Sequence, residues 1–246
     1  VKRWQSGYLC SVTIVEGTTR QVVVVVPAHN EVANLPGCIA SVRVAAAAIP
    51  VPVLTVVVLD HCDDGSEDLS VGDGADVHFH HIDARNVGTA RAAGFEVARR
   101  LRDTDPQRTW YATTDADTRV DPDWLQRQLA AWADMVLGLV RVPAGRVPPG
   151  LARRYLRGVD SDDHAHVHGA NLGCRAAPYW EVGGFADLAT GEDVDLVARF
   201  EAAGYTIDRD PDLWVTTSAR RTGRAPGGFA DDLRAAADLP AVEDAS

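Results

Sequence analysis

Of the 24 basic residues in this 246-residue chain, only Lys2 is a lysine; the others are arginines. A phosphate loop of the Walker kind needs a lysine behind its glycines, and a Schiff-base enzyme needs a lysine amine. Lys2 stands at the terminus and serves neither. A basic surplus is also missing: 35 acids leave a net charge of −11. A nucleic-acid partner held by phosphate neutralisation is therefore not expected. A nucleotide held through a divalent metal is not excluded. The four cysteines, Cys10, Cys38, Cys62 and Cys174, are spaced neither as zinc pairs nor as a disulfide framework. They read as free thiols in a reducing cytoplasm. Long apolar runs are lacking too. Val22 to Val26 and Val53 to Leu59 are strand-length, far short of a bilayer span. No apolar stretch of signal-peptide kind follows Val1 to Ser6. A cytoplasmic chain is expected, or one peripheral at the inner face of a membrane, with no integral membrane segment.

Both valine runs are apolar without alternation, as in strands buried on both faces. A helix is predicted over 34–48, between them. A strand over 77–82 and a helix over 89–101 follow, the latter with Ala90, Ala93, Val97 and Leu101 at spacings of three and four. A fourth strand is expected over 109–114. Asp121-Pro122-Asp123 then opens a helix carrying Trp124 to Met135. Beyond it come strands over 136–142 and 165–174, a helix over 151–164, a short helix over 177–181 and a helix over 192–203. Two late strands are expected at 205–207 and 213–217. Alternating strands and helices predict an α/β fold with a mostly parallel sheet. Residues 1–20 read as an arm, 21–217 as one domain (its halves meeting near residue 120), and 218–246 as a loop, a short helix and an acidic tail.

In such sheets ligands sit at the carboxyl ends of the strands. The first strand is followed by Pro27-Ala28-His29-Asn30-Glu31, the second by Asp60 and Asp63-Asp64-Gly65-Ser66-Glu67-Asp68. The third is followed by Asp83-Ala84-Arg85-Asn86-Val87-Gly88, the fourth by Asp115-Ala116-Asp117. Turn chemistry favours Asn and Asp, but does not require them at every carboxyl edge. Asp115 and Asp117, two apart, point to one side if the chain is extended. Paired carboxylates suit a hard ion such as Mg²⁺ or Mn²⁺, which takes oxygen ligands and leaves room for substrate phosphates. A solvated loop ahead of the helix at 121 is the alternative.

These strand-end motifs, in this order, resemble the nucleotide-binding half of family 2 glycosyltransferases. The second half continues the resemblance: Gly169-Ala170-Asn171-Leu172-Gly173-Cys174-Arg175, then Val182-Gly183-Gly184-Phe185, Gly191-Glu192-Asp193-Val194-Asp195-Leu196, and Ala203-Gly204-Tyr205. The resemblance covers about residues 21–217. It implies a GT-A fold, a Rossmann-like nucleotide-binding half with a mostly parallel sheet joined to a mixed-sheet acceptor half. It implies a metal-dependent, inverting transfer of a sugar from a UDP- or GDP-sugar to an acceptor hydroxyl of unknown identity.

By the same resemblance, Pro27, His29 and Glu31 line the base and ribose, and Asp60 accepts hydrogen bonds from the base. Arg85 and Asn86 lie near it or form a turn. Glu31 alternatively favours the start of the first helix. Asp115 faces ribose or metal, and Asp117 binds the metal. Asp193 is the general base, supported by Glu192. Gly169, Asn171 and Arg175 floor the sugar and acceptor site. Arg220, Arg221 and Arg224 close over the diphosphate as a lid or form a solvated run. His164, His166 and His168 alternate and share a face if extended, as a metal or acceptor surface or as a plain polar face. The Gln-X-X-Arg-Trp motif of membrane polysaccharide synthases is absent, so processive polymerisation is not expected. A sugar-phosphate nucleotidyltransferase is the competing reaction. It needs an Arg- and Lys-bearing glycine loop after the first strand, where this chain has Pro27 to Glu31. A non-catalytic nucleotide-sugar binder is the third reading.

Overall fold

The computed structural model of the protein describes residues 19–70, 74–102, 105–143 and 164–218. Cys10, the N-terminal arm up to residue 18, the 151–163 part of the predicted helix, the C-terminal segment from 219, and Arg220, Arg221 and Arg224 lie outside the described residues.

One mixed sheet of eight strands carries the fold. Strand β1, Gln21–Ala28, lies third from one edge. Strand β2, Val53–Asp60, pairs with it in parallel on one side. Strand β3, Val77–Ile82, extends that side, also parallel. Strand β4, Thr109–Thr113, pairs in parallel on the other side of β1. All four carboxyl ends therefore open onto one edge of the sheet.

The valine run of β1 is apolar throughout because both faces are covered. Val22, Val24 and Val26 pack in a core with α1, Leu35–Ala47. Val23 and Val25 pack in a second core with Phe95 and Ala98 of α2, Val87–Leu101. Asn86 caps α2, its side-chain oxygen accepting from the Thr89 N–H at 3.0 Å.

The second half turns the sheet mixed. Strand β5 is Arg119–Val120, α3 is Trp124–Ala130, and β6 is Met135–Arg141. Strand β7, Leu172–Arg175, runs antiparallel to both β4 and β6. Helix α4, Ala176–Glu181, and helix α5, Glu192–Ala202, follow. Strand β8, Ile207–Thr216, pairs in parallel with β6 and antiparallel with β5.

Three predicted elements differ. The helix from Trp124 stops at Ala130, five residues before Met135. Asp134 is claimed by the sheet instead: its N–H bonds the Thr206 carbonyl at 2.9 Å, and its carboxylate takes the Thr206 N–H at 3.0 Å. Pairing across the sheet overrides the helical pattern there. The predicted strand over 165–174 shrinks to Leu172–Arg175, because a turn closed by the Asn171 N–H on the His168 carbonyl interrupts it. The two predicted late strands are one strand, whose register against β6 shifts between Leu137 and Leu139. Cys38 and Cys174 are buried free thiols and Cys62 is half-buried. Burial pushes the Cys38 and Cys174 thiols well up.

Helix α2 lies close on the sheet because Gly94 has no side chain. A Cβ there would stand 2.5 Å from Val25 Cγ1 and 3.0 Å from Val58 Cγ2. Overpacking of this kind costs about 1–3 kcal/mol. Gly94→Ala is expected to lower the urea midpoint accordingly, and an unchanged midpoint contradicts the close packing.

Candidate active site

The three loops after β1, β2 and β3 each carry one non-glycine residue in the left-handed region: Asn30 at φ 56°, His61 at φ 52° and Arg85 at φ 52°. Such conformations cost free energy and gather where loops are over-determined by their surroundings. Here the surroundings are carboxylates. Asp60, 5% exposed, accepts from the N–H groups of Ala84 and Arg85 at 2.8 Å and of Asn86 at 2.9 Å. The Asp64 carboxylate takes the Val32 N–H at 2.9 Å and the Ser66 N–H at 3.0 Å. Buried Glu31 takes the Asn34 side-chain amide at 2.8 Å at the entry to α1.

Several residues assigned to the donor thus hold these loops to one another. Pro27 and His29 sit at the end of β1, and His29 Nδ1 donates to the Asp60 carbonyl at 2.7 Å. Its ring stacks on that of His61, with centroids 6.3 Å apart. His61 in turn bonds Asp83 through Nδ1 at 2.7 Å and Arg85 through Nε2. His29, His61, Asp83 and Arg85 therefore form one connected surface at the β1–β3 corner. The side chain of Asn86 is occupied as the helix cap.

Beside that corner, after β4, lie Asp115 and Asp117. They are related by a turn, closed by the Thr118 N–H on the Asp115 carbonyl at 3.0 Å. The expected extended Asp-X-Asp is not the local geometry. Asp117 accepts from the Thr217 hydroxyl at 3.4 Å. Asp115 pairs with Arg91 at 2.6 Å, with 40% of its side chain open to solvent.

Arg91 is the centre of the arrangement. It is 2% exposed, on the sheet-facing side of α2. Its guanidinium holds Asp115, holds Glu192 at the start of α5, and donates to Thr113 Oγ1 at 3.2 Å. It lies 5.7 Å over the Phe185 ring. Glycines make room for it: a Cβ on Gly169 would collide with the guanidinium, and one on Gly88 would collide with the Ala186 and Leu188 carbonyls next to Glu192. Asp193, the residue after Glu192, takes the Gly169 N–H on Oδ2 at 2.6 Å and the Val194 N–H on Oδ1 at 2.8 Å.

Sequence reasoning missed Arg91. The available signal was its position: it shares the face of α2 that carries Gly94, Phe95 and Ala98, and it is the charged residue among those buried there. The structure also separates two residues from the rest. Asn171 is fully buried; its amide bonds the carbonyls of Leu139 and Leu213, each at 2.9 Å, and its oxygen takes Trp124 Nε1 at 2.9 Å. It locks α3, β6 and β8 together and does not floor a ligand site. Arg175 pairs across from Trp110, at the start of β4, and faces Asp134 at 3.7 Å. Because β7 runs antiparallel to β4, its far end lies at the edge away from Asp115. Gly169, by contrast, is within the cluster. His164, His166 and His168 do share a face: their rings follow one another at 6.2 and 5.8 Å.

Partial burial, with the nearby carboxylates of Asp117, Glu192 and Asp193, raises the Asp115 carboxyl to about 6 even though Arg91 pulls it down. Burial likewise raises Glu192. Two acids, Asp115 and Glu192, thus meet one guanidinium, with Asp117 and Asp193 near Asp115. Among the described residues no three His, Cys, Asp or Glu side chains converge as a ready metal cluster. A hard divalent ion with one or two carboxylate ligands, completed by substrate phosphates, fits this donor set.

A family model described as glycosyl transferase family 2 matches residues 23–172. The chain belongs to that family. Solved structures bear the fold out. TarS from S. aureus, residues 1–349 in complex with UDP-GlcNAc, superposes at a TM-score of 0.63 with 13% identity, over 85% of this chain and 61% of that one. The mannosyltransferase PcManGT from Pyrobaculum calidifontis, in complex with GDP-Man and Mn²⁺, superposes at 0.64 with 17% identity, over 85% of this chain and 59% of that one. The fold of this family 2 chain is GT-A, and it spans about three fifths of the length of these neighbours. No curated protein matches the chain. Glu192 and Asp193 lie beyond the matched stretch and are tied to it by Arg91. Among the described residues no helix is long and apolar enough to cross a membrane.

The raised Asp115 carboxyl has a stability consequence. Its folded value lies above the ordinary 3.8, so the native state binds this proton more readily than the unfolded chain. Stability is lost as pH rises from 3.8 to about 6, and the cost is complete above that. The difference in unfolding free energy between Asp115→Asn and wild type is expected to move in favour of the variant across that window and level off beyond it. A difference independent of pH contradicts the shift.

Proposed function

We propose that this chain transfers a sugar from a nucleoside-diphosphate donor to an acceptor hydroxyl, with inversion, in a single displacement. Uridine or guanosine is the donor base. The observation that carries the reading is the meeting, through Arg91, of the strand-end carboxylates with the start of α5, where Asp193 stands. The family and the nucleotide-sugar complexes of its structural neighbours support it.

The base and ribose lie at the β1–β3 corner, against His29 and the loop that Asp60 holds. The diphosphate lies toward Asp117. A diphosphate brought among Asp115, Asp117, Glu192 and Asp193 is repelled unless a cation offsets it. Asp117, with Asp115, would hold a divalent Mg²⁺ or Mn²⁺ ion. When bound, that ion supplies Lewis-acid stabilisation of the leaving diphosphate.

On the other side of the anomeric carbon, the acceptor oxygen attacks as the bond to the diphosphate oxygen breaks. Its proton passes to the Asp193 carboxylate. The two backbone N–H groups on Asp193 keep that carboxylate oriented. Glu192 does not face substrate in this scheme; buried against Arg91, it is a positioning residue.

Nucleotide release from UDP- and GDP-sugars, with and without Mn²⁺, tests the reading. Asp193→Asn is expected to retain donor binding and lose about 10²–10⁴-fold in turnover, the range of a lost general base. Asp117→Ala is expected to lose the metal response. Full turnover in Asp193→Asn contradicts the base assignment. Pyrophosphate release from a nucleoside triphosphate and a sugar phosphate would point to nucleotidyl transfer instead.

A further inference from the structure

We propose that Asp83 and Arg85 read the donor base, and that the base they select is guanine. The inference rests on the glycosyltransferase reading above, which sets the base at the β1–β3 corner. It narrows the donor from two nucleotide classes to one.

The carboxylate that the family resemblance sets on the base is taken. Asp60 gives Oδ1 to the Ala84 and Arg85 N–H groups and Oδ2 to the Asn86 N–H, and only 5% of the residue is exposed. The loop it holds carries a second acid. Asp83 and Arg85 stand two residues apart and are opposite in charge. A direct ion pair would occupy both of them. The ring of His61 stands between them instead. Arginine only donates, so His61 Nε2 accepts from Arg85, and Nδ1 carries the hydrogen that Asp83 Oδ1 receives at 2.7 Å. Both ring nitrogens are thereby used, and His61 is a spacer, not a reader. His61 and Arg85 both hold left-handed backbone, at φ 52°, a conformation that persists only where the surroundings fix it.

The spacer leaves one acceptor group and one donor group open, side by side. The Asp83 side chain is 78% exposed, and its Oδ2 has no bond among the described residues. Arg85 is exposed, and only Nη2 of its guanidinium meets a partner there. Guanine presents the complement along one side: N1–H and N2–H donate, O6 and N7 accept. A carboxylate takes two adjacent donors together, and an arginine fork on O6 and N7 is the commonest specific base contact. Uracil has one N–H between two carbonyl oxygens. The second oxygen of Asp83 would then face another acceptor, which costs affinity because neither lone pair is met.

Calorimetric titration of the full chain with GDP, UDP and inosine diphosphate, each with Mn²⁺, tests the assignment. Inosine diphosphate is GDP without the N2 amino group. GDP is expected to bind about tenfold tighter than either, the scale of one bidentate base contact. Asp83→Asn is expected to weaken GDP by about the same factor and to change the other two far less, so that GDP and inosine diphosphate become alike. Arg85→Gln is expected to weaken GDP and inosine diphosphate together, since both keep O6 and N7. Equal weakening of all three nucleotides by Asp83→Asn would make the acid a support for the loop only and overturns the proposal. UDP bound as tightly as GDP, or binding of none of the three, overturns it as well. A GDP preference that vanishes in Asp83→Asn, in a protein that releases no GDP from any GDP-sugar, would place the failure in the glycosyltransferase reading and leave the base assignment standing.

Discussion

A buried guanidinium is the constraint on which this site depends. Arg91 leaves water to sit between a strand end and a helix start, and its partners are Asp115 and Glu192. Breaking such a pair by removing one partner typically costs about 3–5 kcal/mol, because a charge is then left buried and alone. The surrounding sequence makes space for this one side chain. Gly88 lets the 186–188 loop approach α2, and Gly169 lets the 168–171 turn lie on the guanidinium while its N–H holds Asp193. The carboxylate after β4 and the start of α5 are thereby fixed relative to one another by a single residue from the helix that packs on β1 and β2.

The acidic surplus divides by task. Asp60 and Asp64 spend their oxygens on backbone N–H groups and hold three strained loops in place. Asp115, Asp117 and Asp193 face the cleft. Each of these loop-holding carboxylates is met by backbone N–H donors. Of the acids after β4 and at the start of α5, Asp115 and Glu192 share one arginine, and there the proton affinity of Asp115 climbs. That contrast, within one edge of one sheet, is why the proposed divalent ion is assigned to Asp115 and Asp117 and not to the loops.

The parallel half was legible because its physics is local. Valine runs without alternation mean strands covered on both faces, and covered parallel strands put their carboxyl ends together. The order of the motifs then brought Asp115, Asp117 and Asp193 to one place. What stayed hidden depends on direction and facing. Arg175 falls at the wrong edge because β7 runs against β4. Asn171 turns into the core because three buried groups of α3, β6 and β8 need partners. Arg91 reads as an ordinary helix arginine until the packed face of α2 is known. The predicted end of α3 failed because Asp134 answers to Thr206, a residue 72 positions away.

The account turns on Arg91 acting as a fork, not merely as a positive charge. Lysine at that position keeps the charge but cannot hold two carboxylates in fixed geometry. The most direct measurement is the rate of nucleotide release by folded Arg91→Lys at saturating donor and metal. A fall of about 100-fold is expected, the scale of a reacting group misplaced by an ångström. A rate equal to that of the wild-type protein would contradict the claim that this one side chain sets the donor against the base.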